Sequence, residues 1–157
     1  MSVIGKKVEM EISRLAAIYP KREAILLPVL HAVQEQLGYI SKEAKHEVAE
    51  KVGVPLTRVE ELVTFYTMFH EKPIGKNEIV VCTNMTCGLM GGEGLCKYLS
   101  EKLKIRPGET TPDGQFTLIR TNECLADCDH PPMMQINGRY YGNLNKELVD
   151  EILEKLK

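Results

Sequence analysis

Four cysteines are the residues of this sequence best suited to chemistry, and they occur as two pairs. Cys82 and Cys87 enclose four residues in the segment CTNMTC, and Cys124 and Cys128 enclose three in CLADC. The two pairs are separated by 36 residues. Two closely spaced pairs in one short stretch of chain indicate four ligands that converge on one object.

The spacing within each pair bears on what the thiolates bind. Four thiolates suit either a zinc ion or an iron–sulfur cluster. Zinc sites often have two residues between paired cysteines, so the wider gaps here favour an object larger than one ion. A [2Fe–2S] cluster fits, with each pair binding one iron, and a structural zinc site is the alternative.

Glycines and small polar residues surround the first pair. The glycines of GLMGGEG let backbone N–H groups approach sulfur. Side chains expected to add hydrogen bonds to a cluster are Thr83, Asn84 and Thr86. Those expected to shield it from water are Met85, Met90, Met133 and Met134.

The elements that must position the cysteines are two strands. EIVVC ends at Cys82 and QFTLIRTNEC ends at Cys124, and both runs are rich in β-branched residues. After the first pair, a helix is predicted by apolar residues at every fourth position, Leu95, Leu99 and Leu103. Cys96 lies in that helix and is expected to pack in the core as a small hydrophobe.

Two further elements follow the second pair. The segment MMQINGRYYG predicts two short strands joined at Asn137-Gly138. The last residues, NKELVDEILEKLK, predict a helix capped by Asn145, with an apolar stripe of Leu148, Ile152 and Leu156. Together these elements predict a small sheet flanked by helices.

The first part of the chain has a different pattern. From about residue 8 to residue 69 the apolar residues recur at helical spacing, and four helices are expected. Ser41 is predicted to cap a helix that ends at Gly53. Thr57 and Glu60 have the spacing of a capping box, which predicts the start of the next helix. The connector EKPIGKN then separates this region from the first strand.

Composition limits the possible functions. The chain has 157 residues, of which 43% are apolar and 27% charged, and its formal net charge is −2. That charge provides no broad attraction to nucleic acid, so no nucleic-acid partner is expected. No stretch has the length and apolar character of a membrane span, and a cytoplasmic location without membrane insertion is expected. In a reducing compartment, cysteines favour metal binding over disulfides.

Two long segments resemble a known family. VCTNMTCGLMGGEGL and PDGQFTLIRTNECLADCDHPPMMQINGRYYGNL resemble the thioredoxin-like [2Fe–2S] ferredoxins, whose best-known members are the small, E-type subunits of NADH-quinone oxidoreductase. PKREAILLPVLHAVQEQLGYI and GVPLTRVEELVTFYTMF resemble the helical segment that precedes the ferredoxin fold in these subunits. The resemblance extends over roughly residues 10 to 157.

The resemblance implies a fold and a site. It implies an α/β fold in which an N-terminal helical bundle, residues 1–73, precedes a thioredoxin-like [2Fe–2S] ferredoxin domain, residues 74–157. It assigns one [2Fe–2S] cluster to the four cysteines that the spacing selects. One departure is Ala126, where the family usually has glycine. A cis peptide bond between Pro131 and Pro132 is also expected, as in many thioredoxin-like folds.

The resemblance also implies a role in electron transfer. The cluster would exchange single electrons with the flavin of a partner subunit that holds FMN and binds NADH, in a complex at the periphery of the inner membrane. Equivalent subunits occur in NAD-linked hydrogenases, some of them electron-bifurcating, and in formate dehydrogenases. With no nucleotide fingerprint and no catalytic constellation, the chain alone is expected not to be an enzyme.

Alternatives of other classes make different predictions. A structural zinc module with an interaction role would bind one colourless ion through the same four cysteines. A thioredoxin-type redox protein would need the C-x-x-C spacing, which neither pair has. His130 mimics half of a Rieske site, but the other half is missing and four cysteines are already present. His130 is therefore expected to be an ordinary loop residue.

Overall fold

The computed structural model describes residues 2–156, so the ends of the expected domain ranges, residues 1 and 157, lie outside the described residues. The chain divides between Pro73 and Ile74 into two compact units. The first unit is helical, and the second contains a four-stranded sheet with helices. Within residues 2–156, no helix is both long and apolar enough to cross a membrane.

The first unit is a bundle of helices around one apolar core. Its helices are α1 Lys6–Ile18, α2 Leu26–Leu37, α3 Lys42–Val52 and α4 Leu56–Phe65, with a 3₁₀ turn at Arg22–Ile25. Completely buried side chains from three of these helices meet in the core: Val8, Leu26, Val29, Leu30, Val33, Ala44 and Val48. Val59 from α4 is equally buried. Burial of these apolar faces is what stabilises the bundle.

The predicted ends of α3 are confirmed. The hydroxyl oxygen of Ser41 accepts a hydrogen bond from the Ala44 N–H at 3.1 Å, which satisfies one of the free donors at the helix start. Gly53 ends the helix in the left-handed conformation, at φ 78°.

The capping box predicted at Thr57 is wrong. Helix α4 begins at Leu56 after Pro55, and no side chain caps it. Thr57 is therefore the second residue of the helix and not the residue before it. Pro55 starts the helix by its backbone, because its carbonyl accepts from the Arg58 N–H at 3.0 Å.

The second unit is built on a four-stranded mixed sheet. Its strands are β1 Asn77–Cys82, β2 Phe116–Thr121, β3 Met134–Ile136 and β4 Arg139–Tyr141. They lie in the order β2-β1-β3-β4, with β1 parallel to β2 and the other neighbouring pairs antiparallel. Cys82 is in register with Thr121. The segments that follow β1 and β2 therefore leave the sheet at the same edge.

The turn between β3 and β4 confirms the hairpin prediction. Asn137 and Gly138 both have positive φ, at 49° and 81°. A two-residue turn of this type matches the twist of the strands it joins.

Three helices complete the second unit within the described residues. They are α5 Met85–Leu89, α6 Gly92–Leu103 and α7 Lys146–Lys155. The completely buried side chains of the core are Ile79, Val81, Leu99, Leu118, Met134 and Val149. Asn145 caps α7 as predicted, because its side-chain oxygen accepts from the Leu148 N–H at 2.8 Å.

Three details differ from the sequence predictions. Cys87 lies on the short helix α5, which was not predicted. Strand β2 ends at Thr121, so Cys124 lies in an irregular segment beyond it. The apolar stripe of α7 contains Val149, Ile152 and Leu153, whereas Leu148 is exposed. A helical face repeats at three and four residues, and the predicted stripe used intervals of four alone.

Candidate metal centre

The four paired cysteines lie on two neighbouring segments at one edge of the sheet. We call residues 82–92 the first cysteine loop and residues 121–130 the second cysteine loop. Cys82 is the last residue of β1, and Cys87 lies on α5. Parallel pairing of β1 with β2 brings the second loop, with Cys124 and Cys128, alongside the first.

Contacts between the loops place the two pairs close together. In the second loop, the sulfurs of Cys124 and Cys128 are 3.3 Å apart. The Sγ of Cys82 lies 3.8 Å from the carbonyl oxygen of Glu123, the residue before Cys124. Leu125 packs against a small apolar cluster made of Cys82, Cys87 and Met133. The structure thus brings both predicted pairs to one place.

The two pairs differ in their exposure to solvent. Cys82 and Cys87 are each 2% exposed, whereas Cys124 and Cys128 are exposed. The four residues are free thiols in the structure. A group bound by all four would therefore be covered by protein on one side and open on the other.

The pKa values of Cys87, Cys124 and Cys128 are shifted by their surroundings. Burial raises the pKa of Cys87 to about 11, and its hydrogen bond with Cys82 and the charge of Cys82 add to the rise. The Ala126 N–H, 3.4 Å from the Cys124 sulfur, lowers the pKa of Cys124, and the neighbouring Cys128 lowers it further. The hydrogen bond with Cys124 in turn raises the pKa of Cys128. Thiols this close ionise together only when a cation compensates their charge.

Gly92 allows the first loop to fold tightly against itself. A Cβ at this position would lie 2.6 Å from the Cys82 carbonyl oxygen and 2.8 Å from that of Cys87. Those distances leave no room for a side chain. Gly92 is therefore required for the main chain to pass close to the carbonyl groups of Cys82 and Cys87.

The second loop depends on a left-handed residue at Ala126. Its φ is 64°, a conformation that costs an alanine about 1 kcal/mol and that glycine adopts freely. This conformation directs the Ala126 N–H to the Cys124 sulfur. The glycine that the resemblance implies at this position would adopt this conformation freely, whereas the alanine adopts it with strain.

Residues that follow strand β4 pack closely against His130 of the second loop. A Cβ on Gly142 would lie 2.8 Å from the His130 carbonyl oxygen and closer still to the His130 Cβ. The same carbonyl oxygen accepts from the Asn143 N–H at 2.7 Å. The peptide bond between Pro131 and Pro132 is cis, as predicted. Gly142 was not singled out by the sequence, because its role depends on contact with a residue 12 positions earlier in the chain.

His130 forms an ion pair at the rim of the site. Its Nδ1 lies 2.8 Å from an oxygen of Asp127, and this pairing raises the pKa of His130. Asp127, Asp129 and His130 have side-chain donors within 4.8 Å of one another. Exposed acidic groups of this kind commonly occur without a metal. His130 is a loop residue with an acidic partner, as expected.

Of the remaining predictions near the site, some are confirmed and others are wrong. Cys96 is 4% exposed and packs in the sheet core with Leu95 and Leu99, as predicted. Of the methionines expected to shield the site, Met133 is buried against Cys82 and Cys87. Met85 and Met90 are instead 79% and 58% exposed. The expectation that methionines cover the site is wrong for these two.

Comparison with known proteins adds to this geometry. The sequence model of the family described as thioredoxin-like [2Fe–2S] ferredoxin matches residues 12–157. The chain is 44% identical over 147 residues to the E-type subunit, numbered 2, of the NADH-quinone oxidoreductase of Rhizobium meliloti, covering 94% of this chain and 87% of that protein. It is 37% identical over 139 residues to the E-type subunit of the NADH-quinone oxidoreductase of Escherichia coli, covering 88% and 83%.

A solved structure is also similar. A chain of an NAD+-reducing [NiFe]-hydrogenase in the air-oxidized state superposes with a TM-score of 0.72 at 26% identity, over 84% of this chain. The present chain corresponds to 22% of the length of that hydrogenase chain. The expected combination of N-terminal helices and a thioredoxin-like ferredoxin fold is confirmed. Because the matched residues 12–157 include both cysteine pairs and the whole sheet, the chain belongs to the thioredoxin-like [2Fe–2S] ferredoxin family.

Proposed function

We propose that Cys82, Cys87, Cys124 and Cys128 bind one [2Fe–2S] cluster and that the protein is an electron-transfer subunit of an NADH-oxidising complex. One observation carries the proposal: four free thiols lie on two adjacent loops at one edge of the sheet, in a member of a [2Fe–2S] family. The names of the relatives support the choice of NADH-quinone oxidoreductase as the parent complex.

The donor set fits such a cluster. Four thiolates are the usual ligands of a [2Fe–2S] cluster, and when bound it accepts and returns single electrons. Other residues of this chain keep water away from the cysteines and stabilise charge on their sulfurs. Met133 and Leu125 exclude water beside Cys82 and Cys87, and the Ala126 N–H stabilises negative charge on the Cys124 sulfur.

The surface beside the cysteines supports a lasting partner. Met85, Leu89 and Met90 are 79%, 84% and 58% exposed on and next to α5, the helix that carries Cys87. Exposed apolar side chains grouped in this way favour protein–protein contact. We assign this surface to a flavoprotein subunit that holds FMN and binds NADH, since the present chain has no nucleotide fingerprint of its own.

The two units have separate parts in this proposal. Residues 1–73 act as a helical domain that contributes to docking, and residues 74–157 act as the ferredoxin domain. In the helical unit, Phe65 and Met68 are 76% and 50% exposed at and beyond the end of α4, which suits such contact. The complex would lie in the cytoplasm at the periphery of the inner membrane.

A related parent complex is the second candidate. The structural similarity to a chain of an NAD+-reducing hydrogenase favours an equivalent subunit of a hydrogenase, and a formate dehydrogenase would use the same chemistry. The cluster and its four ligands are the same in each case. Identification of the copurifying catalytic subunit distinguishes these complexes.

The cluster itself is tested by purification without oxygen. We expect a coloured protein with two irons and two sulfides per chain, whose visible bands bleach with dithionite. Cys96→Ala is the matched control among the cysteines and should keep the same spectrum, since Cys96 packs in the sheet core. A colourless protein with one zinc per chain would establish the structural zinc module instead.

The partner is tested by coexpression with the candidate flavoprotein. We expect coelution in size-exclusion chromatography and bleaching of the cluster by NADH, whereas the present chain alone should not oxidise NADH. Leu89→Glu should weaken the complex, and Lys97→Gln, which lowers the net charge by the same one unit at an exposed site on α6, is the charge-matched control. Separate elution of the wild-type proteins at micromolar concentration would favour a mobile ferredoxin.

A further inference from the structure

Asn84 contacts both cysteine loops through the two ends of its side-chain amide. Its Oδ1 accepts a hydrogen bond from the Met85 N–H at 2.8 Å and so caps α5, the helix that carries Cys87. Its Nδ2 donates to the main-chain carbonyl of Asn122, two residues before Cys124. One side chain therefore joins residues 38 positions apart in the sequence.

Neighbouring contacts make Asn122 a firm attachment point. The Thr83 hydroxyl lies 2.9 Å from the Thr121 carbonyl oxygen and 3.0 Å from the Asn122 Oδ1. The Thr83 N–H also donates to the Thr121 carbonyl at 2.8 Å, which continues the pairing of β1 with β2 by one residue. The bond from Asn84 to Asn122 follows directly after this pairing.

A nearby ion pair joins strand β2 to helix α6, and it is weaker. Arg120, at the end of β2, forms a two-point ion pair with Glu93 on α6. The two side chains are 39% and 57% exposed, and an ion pair open to water contributes little to stability. The Asn84 bond reaches the main chain two residues before Cys124 and is the more direct constraint on that residue.

We propose that Asn84 is a positioning residue that sets the separation of the two cysteine pairs. This inference rests on the proposed function, because the separation matters only if all four cysteines bind one cluster. With the bond to Asn122 removed, the second loop is held to α5 less firmly, by the packing of Leu125 against Cys87, while both loops keep their own folds. The Ala126 N–H and Cys124 would then move relative to Cys82 and Cys87, and cluster retention and reduction potential would change together.

The two contacts of the Asn84 side chain, the cap on α5 and the bond to Asn122, can be separated by substitution. Asn84→Ser keeps an oxygen that caps α5 about as well as asparagine does, but it is too short to reach Asn122. Asn84→Asp is nearly isosteric and keeps the capping oxygen, while the donor to Asn122 is lost. Asn145→Ser is the matched control, because the Asn145 side-chain oxygen also caps a helix, α7, by accepting from the Leu148 N–H.

The test compares these variants as purified holoproteins. We expect Asn84→Ser and Asn84→Asp to retain the wild-type circular dichroism spectrum and to release iron to a chelator about 10-fold faster, the lower end of the usual effect of residues that support metal ligands. The reduction potential and the electron paramagnetic resonance spectrum of the reduced cluster should change as well. Asn145→Ser should match the wild type in all three measurements.

Two outcomes would overturn different parts of the proposal. If the wild-type protein carries no [2Fe–2S] cluster, the proposed function fails. If the wild type carries the cluster and both Asn84 variants match it in iron release, potential and spectrum, the proposed function stands and the positioning role of Asn84 is wrong.

Discussion

The two cysteine loops present the same residue type in opposite surroundings. In the first loop, Cys82 and Cys87 lie on a strand and a helix and are 2% exposed. In the second loop, Cys124 and Cys128 lie in irregular chain and are exposed. The first pair is held by packing, and the second by backbone conformation and hydrogen bonds.

Because of this difference, substitutions in the two loops should affect the stability of the apoprotein and the geometry of the cysteine ligands to different extents. A substitution in the first loop disturbs apolar packing, so it should lower the stability of the apoprotein and damage the site together. A substitution in the second loop removes few buried contacts, so it should damage the site while the apoprotein keeps its stability. The following experiments test that separation.

Replacement of the cysteines should have the largest effect. Any one of Cys82, Cys87, Cys124 and Cys128 changed to alanine should abolish or severely destabilise the cluster, because one of four thiolates is lost. In urea unfolding of the apoprotein, Cys82→Ala and Cys87→Ala should cost about 1 kcal/mol, and the second-loop variants less than about 0.5 kcal/mol. A variant with full iron content and an unchanged spectrum would show that the replaced residue is not a ligand.

Gly92→Ala should have the next largest effect. The new Cβ would overlap the carbonyl oxygens of Cys82 and Cys87, and the overpacking should cost about 1–3 kcal/mol of unfolding free energy and reduce the iron content. Gly94→Ala, on the same helix with nothing within 4 Å of the new Cβ, is the control. It should stabilise the protein by up to about 1 kcal/mol. Equal unfolding free energies for the two variants would refute close packing at Gly92.

Gly142→Ala should affect iron binding more than it affects the unfolding free energy. Its Cβ would push on His130 and hence on the second loop, which is exposed and able to shift. We expect a loss of no more than about 1 kcal/mol in apoprotein stability, with clearly faster release of iron to a chelator. A loss of stability as large as that of Gly92→Ala, with iron release unchanged, would contradict the distinction between the loops.

Ala126→Gly should have the smallest effect. The left-handed conformation at Ala126 favours glycine, but glycine also has more freedom to lose on folding. The net gain in unfolding free energy of the apoprotein should be no more than about 0.5 kcal/mol, with full iron content. Destabilisation by this change would show that the alanine methyl group makes a favourable contact in the second loop.

Local signals were the most reliable part of the sequence prediction. Ser41, Asn145 and the Asn137-Gly138 turn were predicted correctly because their hydrogen-bonding partners lie within a few residues of each. Thr57 failed because Pro55 starts the helix two residues earlier. Of the stripe predicted on α7, Ile152 and Leu156 pack against the sheet core, but Leu148 is exposed, because the side of a helix that is buried is decided by what packs against it.

The sequence by itself determined which residues could bind a metal cluster and that two strands lead to them, because cysteine spacing and strand patterns are local properties. Only the tertiary structure decided that the first pair is buried and the second exposed, that Gly92 has no room for a side chain, and that Asn84 reaches Asn122. The tight fit at Gly92 arises within the first cysteine loop, but the contact of Asn84 with Asn122 depends on the parallel pairing of β1 with β2, which brings together segments more than 30 residues apart. Contacts between such distant residues leave no periodic signal in the chain, so they are decided only when the sheet forms.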